Sequence, residues 1–241
     1  MGQPIRTAMF LAAGLGTRMR PLSNETPKPL IKVAGKALMD YYLDQAVEAG
    51  VERVVVNVHW LPEQVEAHMN ARTDVEVLLS DERDELLETG GAIVKAHKLL
   101  GDDPIFMVNT DAFFASGDGN PFAALAASYD PTSMDDLLLL ADRTTSIGFP
   151  GPGDFYLKEG GQLERRGDRE TAPWAYAGAR ITKASLYDGE ALRPFSANII
   201  WNRILTENRL FGLPFKGQWM HVGEPATIQE VEDWMRTHRA A

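Results

Sequence analysis

The first 140 positions of the chain alternate between two hydrophobic patterns. Continuous apolar runs, such as residues 5–12, predict strands buried on both faces, as in a parallel sheet. Apolar residues spaced three or four apart, as in residues 38–49 before Gly50, predict amphipathic helices. Further strands are predicted at 54–58, 75–80, 105–108 and 137–141, and further helices at 62–70, at 89–100 with Thr89 as the N-cap, and from Asn120 to residue 129. This alternation predicts an α/β fold with a mostly parallel sheet flanked by helices.

The second part of the chain is richer in loops. Glycine and proline are frequent in residues 148–167, where strands 155–158 and 162–165 are predicted to form a hairpin around Gly160 and Gly161. A strand at 174–181, a helix from Ser196 through 209, a strand-like segment at 210–222 and a helix at 227–238 follow. Because no long polar linker and no repeat interrupts the chain, we expect a single domain over residues 1–241.

Composition narrows the class of protein. The 241 residues are 44% hydrophobic and 24% charged, as in soluble globular proteins. The absence of cysteine excludes a disulfide framework and a thiol nucleophile, and it fits a reducing compartment. No uncharged apolar run approaches the length of about 20 residues that a membrane span needs. We therefore expect a cytoplasmic protein.

Charge points to the kind of partner. The net charge of −10 argues against nucleic acids or anionic membranes as partners. Residues 1–39 nevertheless carry six basic side chains and only one acidic side chain, Glu25. A local cationic patch on an acidic body suits a small, highly charged anion.

The segment with the clearest chemistry is LAAGLGTRMRPL at residues 11–22, followed by TPKPL at residues 26–30. After a buried strand, small residues let backbone N–H groups approach a phosphate, while Arg18 and Lys28 bring positive charge to the same place. Neither G-x-G-x-x-G, which needs glycine where Met19 stands, nor G-x-x-x-x-G-K-[ST] is present. The alternative is a glycine turn beside solvated charges; the two prolines that stiffen Lys28 favour a polyphosphate site.

Asp111 follows the predicted strand 105–108 and therefore lies at the carboxyl end of the sheet, where α/β proteins place ligands. A carboxylate there can bind Mg²⁺, which bridges phosphate oxygens. The alternative is an aspartate that caps the next loop. The acid-rich segment 81–88, in contrast, is expected to be a solvated loop.

These motifs closely resemble the signature of the sugar-1-phosphate nucleotidyltransferases, also called nucleoside-diphosphate-sugar pyrophosphorylases. The resemblance extends to GVERVVVNV at 50–58, ETGGA at 88–92, NTD at 109–111 and WMHVG at 219–223. Within this family, the compact length and the pairing of LETGG with GDF look most like the bacterial uridylyltransferases that act on N-acetylmuramate 1-phosphate in peptidoglycan recycling. The resemblance implies a Rossmann-like core, magnesium as cofactor, and a reaction of UTP with a sugar 1-phosphate that releases pyrophosphate.

The resemblance also implies roles for individual residues. Arg18 would hold the β,γ-pyrophosphate, and Lys28 would lie beside the α-phosphate and the sugar phosphate. Residues 1–142 would bind nucleotide and residues 143–241 sugar. The nucleotide-binding residues would be Leu11, Ala12, Ala13, Gly14, Gly16, Thr17, Arg18, Glu88, Thr89, Gly90 and Gly91. The sugar-phosphate-binding residues would be Lys28, Asn109, Gly153, Asp154, Glu170, Tyr176, Gly178 and Asn198 or Trp201, although core packing is the default role of a tryptophan.

One position departs from the family pattern. The second magnesium ligand of the family is an aspartate in a Trp-x-Asp-x-Gly context, whereas this chain has His221. The histidine either binds the metal together with Asp111, contacts a phosphate, or packs behind a tryptophan. Because imidazole is a softer ligand than carboxylate, metal ligation predicts weaker use of Mg²⁺ and better tolerance of Mn²⁺.

Two other functions remain open at this point. The first is a guanylyl- or thymidylyltransferase acting on mannose, heptose or glucose 1-phosphate, because base-reading pockets differ by only a few hydrogen bonds. The second is a catalytically silent module that binds nucleotide sugars. His221 keeps this second hypothesis open, because it replaces the aspartate of the family pattern. The presence of Arg18, Lys28 and Asp111 argues against it. The oligomeric state cannot be read from the sequence.

Overall fold

The computed structural model describes residues 4–101 and 104–238, and its elements follow the predicted alternation. The strands are β1 Thr7–Leu11, β2 Lys32–Val33, β3 Lys36–Ala37, β4 Arg53–Val58, β5 Glu76–Asp81, β6 Pro104–Asn109, β7 Ala112–Gly117, β8 Asp136–Asp142, β9 Phe155–Leu157, β10 Leu163–Arg165, β11 Trp174–Lys183, β12 Leu210–Pro214 and β13 Gly217–His221. The helices are α1 Leu38–Glu48, α2 Pro62–Asn70, α3 Glu88–Leu100, α4 Pro121–Ser128, α5 Asn198–Thr206 and α6 Pro225–His238.

The main sheet is mixed and mostly parallel, as predicted. Its central order is β12-β8-β11-β6-β1-β4-β5, in which β1, β4, β5 and β6 form parallel pairs and β12 is parallel to β8. Strand β11 runs antiparallel to both of its long neighbours, β6 and β8. The predicted hairpin β9–β10 joins the sheet where Phe155 pairs with Trp174.

The continuous apolar run of β1 is explained by cores on both of its faces. Ala8 and Phe10 are buried in one core together with side chains of α1 and α4, while Met9 is buried in a second core together with side chains of α3. Successive side chains of a strand point to opposite faces, so both faces must be apolar. The prediction of a strand covered by helices on both sides is confirmed.

The carboxyl ends of β1 and β6 meet at one edge of the sheet, because Leu11 pairs with Asn109. Strand β4 ends at the same edge, where Asn57 pairs with Leu11. A separate two-stranded sheet brings His221 of β13 opposite Ala112 of β7. Strand β7 was not predicted from the sequence. Its pairing carries the last strand of the chain to the same edge.

Several predicted boundaries were wrong. Helix α3 begins at Glu88 with Leu87 as its N-cap, and the hydroxyl of Thr89 instead accepts a hydrogen bond from the backbone N–H of Ala197 at 2.8 Å. Helix α5 ends at Thr206, because the chain turns through Asn208 with a φ of +56° before β12 begins beside β8. The N-cap of α5 is Ala197, one residue after the predicted Ser196. Segment 210–222 forms two strands in different sheets.

Other local predictions are confirmed. Gly50 follows α1 with a φ of +99°, the left-handed conformation expected after a helix. The side chain of Asn120 accepts hydrogen bonds from the backbone N–H groups of Phe122 and Ala123 and so caps α4. Among the helices of residues 4–101 and 104–238, none is both long and apolar enough to cross a bilayer. The division into a nucleotide part and a sugar part stays a prediction.

Candidate active site

A cavity of about 450 Å³ opens at the carboxyl edge of the sheet, above the ends of β1 and β6. Its lining joins the loop after β1, the first turn of α3 and the segment after β6. Most of the predicted nucleotide residues lie on its wall, together with two residues predicted for the sugar phosphate and one predicted metal ligand. They are Leu11, Ala12, Ala13, Gly14, Gly16, Thr17, Arg18, Glu88 and Thr89, with Lys28 and Asn109, and Asp111. Residues that are far apart in the sequence thus form one site of the size expected for a small ligand.

The glycine turn is held tightly against the lysine segment. Gly16 has a φ of +60°, and a Cβ atom there would lie 3.1 Å from the Cβ atoms of both Ser23 and Lys28. The hydroxyl of Ser23 donates a hydrogen bond of 2.7 Å to the carbonyl oxygen of Gly16. Glycine is therefore required at this position for its backbone conformation and for the close approach.

Lys28 and Asp111 form an ion pair at the wall of the cavity. Lys28 begins a short 3₁₀ turn between Pro27 and Pro29, and its Nζ lies 2.8 Å from Asp111 Oδ2. The two side chains are 13% and 27% exposed, respectively. Burial alone would raise the pKa of Asp111, but the neighbouring cations, Lys28 foremost, hold it below its ordinary value. The site therefore presents an ionised carboxylate beside a fixed ammonium group.

Arg18 is a second cation at the same site, and it is exposed on the open side of the cavity. Within the described residues, no carboxylate lies within 4 Å of its guanidinium group. A Cβ atom on Gly223 would lie 3.4 Å from Arg18 Nη1 and 2.8 Å from His221 Cε1. The glycine of the WMHVG segment thus leaves room for the arginine and the histidine, and the charge of Arg18 is available to an anion.

The geometry of His221 sets its tautomer. Its Nδ1 lies 3.0 Å from the carbonyl oxygen of Gly148, which can only accept a hydrogen bond, so Nδ1 carries the proton. In the neutral ring, the lone pair of Nε2 is then free, and Nε2 lies 4.0 Å from Asp111 Oδ2. Such a backbone contact is how proteins orient histidines that bind metals. Asp111 and His221 form a pair of potential ligands; no cluster of three or more acidic or histidine side chains suited to a metal was found in the described part of the chain.

A buried polar chain that was not predicted lies under the nucleotide side of the cavity. Asn57 Oδ1 accepts a hydrogen bond of 2.7 Å from the N–H of Ala12, and Asn57 Nδ2 donates one of 2.8 Å to Glu82 Oε1. Glu82 Oε2 accepts a third hydrogen bond from the N–H of Leu87, at 3.0 Å. Burial raises the pKa of Glu82, although these donors act in the opposite direction. The expectation of a solvated loop at 81–88 was therefore wrong at Glu82, which joins two walls of the cavity.

Replacing Glu82 by glutamine tests this connection. The side-chain NH₂ group of the glutamine would face one of the two N–H donors, so that either Asn57 or Leu87 loses its acceptor. We expect this to lower the free energy of unfolding by about 1–3 kcal/mol. We also expect a higher KM for the nucleoside triphosphate, because the backbone of Ala12, which lines the cavity, is held less firmly by Asn57. Urea unfolding and steady-state kinetics measure both effects. Glu85→Gln, an exposed neighbour, is the control; equal unfolding midpoints for the two variants would contradict the prediction.

The predicted residues outside the cavity lining have other surroundings. Gly90 is buried against the ring of Phe195, and a Cβ atom there would lie 2.3 Å from that ring. Gly178, with a φ of +86°, faces Asn109, and Glu170 is exposed in the loop before β11. The packing role expected of the tryptophans is found at Trp201 and Trp219, both buried.

Three further sugar candidates gather around α5, apart from that lining. Asp154 Oδ2 accepts a hydrogen bond of 2.8 Å from the N–H of Tyr176, whose ring packs edge-on against Trp201. Asn198, at the start of α5, accepts a hydrogen bond from Arg165. Arg165 was not predicted from the sequence as a site residue.

Comparison with known proteins assigns the family. Residues 7–140 match the family model described as nucleotidyl transferase. An N-acetylmuramate alpha-1-phosphate uridylyltransferase of Caulobacter vibrioides is 44% identical over 93% of this chain and 95% of its own length. The chain belongs to the nucleotidyl transferase family. The predicted membership is thereby confirmed.

Other relatives of this nucleotidyltransferase show the breadth of the family. A uridylyltransferase of the same name from Neisseria meningitidis is 32% identical, with 93% of this chain and 96% of the relative covered. A mannose-1-phosphate guanylyltransferase catalytic subunit beta of Xenopus tropicalis is 27% identical over 90% of this chain and 61% of its own length.

Solved structures confirm the fold of this nucleotidyltransferase. The inositol-1-phosphate CTP transferase of T. maritima superposes with a TM-score of 0.77 at 17% identity, and both chains are covered completely. A UDP-glucose pyrophosphorylase complexed with UDP-glucose gives a TM-score of 0.76 at 18% identity, with 97% of this chain and 99% of that chain covered. The Rossmann-like, mixed sheet expected from the sequence is the fold of these transferases.

Proposed function

We propose that this nucleotidyltransferase joins UTP to N-acetylmuramate 1-phosphate and releases pyrophosphate. One observation carries the chemistry: Arg18, Lys28 and Asp111 line a single cavity at the glycine turn. The names of the two relatives that are 44% and 32% identical support the choice of base and sugar. The relatives named for mannose 1-phosphate support the guanylyl alternative more weakly, at 27% identity.

The proposed reaction is an in-line displacement at the α-phosphorus of UTP. A phosphate oxygen of the sugar 1-phosphate attacks, a new P–O bond forms, and the bond to the β-phosphate breaks, so that pyrophosphate leaves with the electron pair. Because both reactants are anions, their approach is opposed by electrostatic repulsion. Fixed cations reduce that repulsion and stabilise the charge that develops.

The roles of the two cations follow from their places in the cavity. Lys28 is mostly buried and held by the prolines beside it, so its ammonium group can meet the α-phosphate and the sugar phosphate at a fixed position. Arg18 is exposed at the turn, where a departing pyrophosphate could be held by two parallel hydrogen bonds. The backbone of Ala12 and Ala13 and the first turn of α3 would enclose the base.

A divalent metal ion fits the pair formed by Asp111 and His221. The carboxylate of Asp111 is ionised. Because Nδ1 of His221 contacts the carbonyl oxygen of Gly148, the lone pair of Nε2 in the neutral ring is free to bind a metal ion. Mg²⁺ prefers oxygen ligands, whereas a mixed oxygen and nitrogen pair suits Mn²⁺ better. When bound there, the ion would neutralise phosphate charge beside Lys28.

We expect His221→Ala to weaken Mn²⁺ binding by at least about 10-fold, since even the loss of a group that only orients a ligand has an effect of that size. His221→Asp, which provides a second carboxylate, should shift the preference from Mn²⁺ towards Mg²⁺. Mn²⁺ titration followed by electron paramagnetic resonance measures binding without turnover. His97→Ala, in α3 beside Asp188, is the control. Unchanged Mn²⁺ affinity in His221→Ala would exclude ligation.

The function itself is tested by pyrophosphate release. The protein is incubated with each of the four nucleoside triphosphates, with N-acetylmuramate, mannose or glucose 1-phosphate, and with Mg²⁺ or Mn²⁺. Release with UTP and N-acetylmuramate 1-phosphate is the expected result. Release with GTP alone would identify the guanylyl alternative, and no release with any pair would favour a silent binding module. The cytoplasmic location expected from the sequence stays a prediction.

A further inference from the structure

Arg165, at the end of β10, is a partly buried cation held by neutral groups. Its Nη2 donates hydrogen bonds to Asn198 Oδ1 at 2.8 Å and to Asn202 Oδ1 at 3.0 Å. The guanidinium carbon lies 5.2 Å from the centre of the Phe155 ring and 5.7 Å from that of Trp201. Burial lowers the pKa of Arg165, while the negative charge of Asp154 acts in the opposite direction.

No carboxylate of the described residues lies within 4 Å of this guanidinium group. Other shielded arginines of the protein do have acidic partners, such as Arg180 with Asp136 and Arg72 with Asp44. Asparagine oxygens orient a guanidinium group but do not neutralise it. A partly desolvated charge whose direct partners are neutral is costly, and an anion that binds there reduces the cost.

Arg165 also lies on the side of the cavity where the sugar candidates gather. Asn198, its hydrogen-bond partner, donates from Nδ2 to Ser196 Oγ at 3.0 Å, and Ser196 lines the cavity. In the sheet, Arg165 pairs with Phe155, which pairs with Trp174 at the start of β11. The start of β11 lies at the same edge as Asn109, because Ala179 pairs with Val108. Arg165 is thus connected to the cavity through Asn198 and Ser196.

We propose that Arg165 binds a carboxylate carried by the sugar, so that the enzyme selects acidic sugar 1-phosphates over neutral ones. This inference rests on the proposed function, in which the sugar is N-acetylmuramate. That sugar differs from N-acetylglucosamine by a lactyl ether, which carries a carboxylate. Nε and Nη1 of Arg165 donate no hydrogen bond to the described residues, so their N–H groups are free for charge-assisted hydrogen bonds to a carboxylate.

The test uses the two product nucleotides, because their binding needs no turnover. The unchanged protein is titrated calorimetrically with UDP-N-acetylmuramate and with UDP-N-acetylglucosamine. We expect the first to bind about 10- to 100-fold more tightly, the size of one charge-assisted contact. In Arg165→Gln this preference should disappear through weaker binding of the muramate nucleotide only. Arg165→Lys should restore part of it.

Two further variants test whether the preference depends on the charge of Arg165 itself. Asn198→Asp keeps the size of the side chain but gives Arg165 a carboxylate within the protein, and it should also abolish the preference. Arg203→Gln, an exposed cation of the same helix that pairs with Glu190, is the control and should keep it. Equal weakening of both nucleotides in Arg165→Gln, or an unchanged preference, would overturn the inference.

Failure of the inference can be told from failure of the proposed function. If the unchanged protein releases no pyrophosphate from UTP and N-acetylmuramate 1-phosphate, the proposed function fails. If that reaction proceeds while Arg165→Gln keeps the preference of the unchanged protein, only the role of Arg165 is wrong.

Discussion

Lys28→Ala is expected to release pyrophosphate at least about 100-fold more slowly than the unchanged enzyme. The ammonium group of Lys28 is mostly buried, lies 2.8 Å from Asp111 and is held in a short turn between two prolines. Because this group needs no reorganisation during the reaction, its loss removes stabilisation of the transition state rather than only substrate affinity. The fall should therefore appear in kcat, measured at saturating UTP and sugar 1-phosphate.

A distant lysine provides the control. Lys183 lies at the end of β11, where its Nζ is 3.8 Å from Asp135. Lys183→Ala should change kcat little. Equal rates for Lys28→Ala and Lys183→Ala would contradict the role of Lys28, as would a higher KM at unchanged kcat. The melting temperature of each variant shows whether the fold is retained.

Asp136→Asn should reduce the free energy of unfolding by about 3–5 kcal/mol. Asp136 is fully buried, and its Oδ2 accepts hydrogen bonds from Arg180 Nη1 at 2.5 Å and from Trp201 Nε1 at 2.7 Å. The amide keeps the shape of the side chain but leaves the buried charge of Arg180 without a counter-ion. Because Trp201 belongs to α5, the change also loosens the helix whose start borders the cavity.

Urea unfolding measures this loss. Glu76→Gln is the matched control, because its partner Arg53 and Glu76 itself are about half exposed, and such surface pairs contribute at most about 1 kcal/mol. Similar midpoints for Asp136→Asn and Glu76→Gln would show that the buried pair does not hold α5 to the sheet.

Much of the fold could be predicted because its signals are local. Strand β1 must be apolar on both faces, and α1 carries its buried residues on one stripe, so both are visible as patterns in the sequence. The meeting of the glycine turn with Asp111 followed from a general property of parallel sheets, whose strands end at a common edge. The ion pair between Lys28 and Asp111 was not predicted from the sequence.

Features that depend on contacts between distant segments could not be predicted. Strand β7 is defined by its pairing with β13, about 100 residues later, and residues 112–117 alone show no alternating pattern. Glu82 is acidic and lies in an acidic segment, so its burial depends on Asn57 and Leu87. The position of Arg165 depends on its hydrogen bond to Asn198 of α5, which is 33 residues later in the chain.

The central claim is that Arg18 and Lys28 at the glycine turn hold a triphosphate. A crystal structure of the enzyme with UTP and a divalent ion tests it most directly. We expect the triphosphate within the turn of residues 14–18, with the guanidinium group of Arg18 on the β- and γ-phosphates and Lys28 Nζ within hydrogen-bond distance of the α-phosphate. Nucleotide bound elsewhere, with Asp111 as the only partner of Lys28, would contradict the claim.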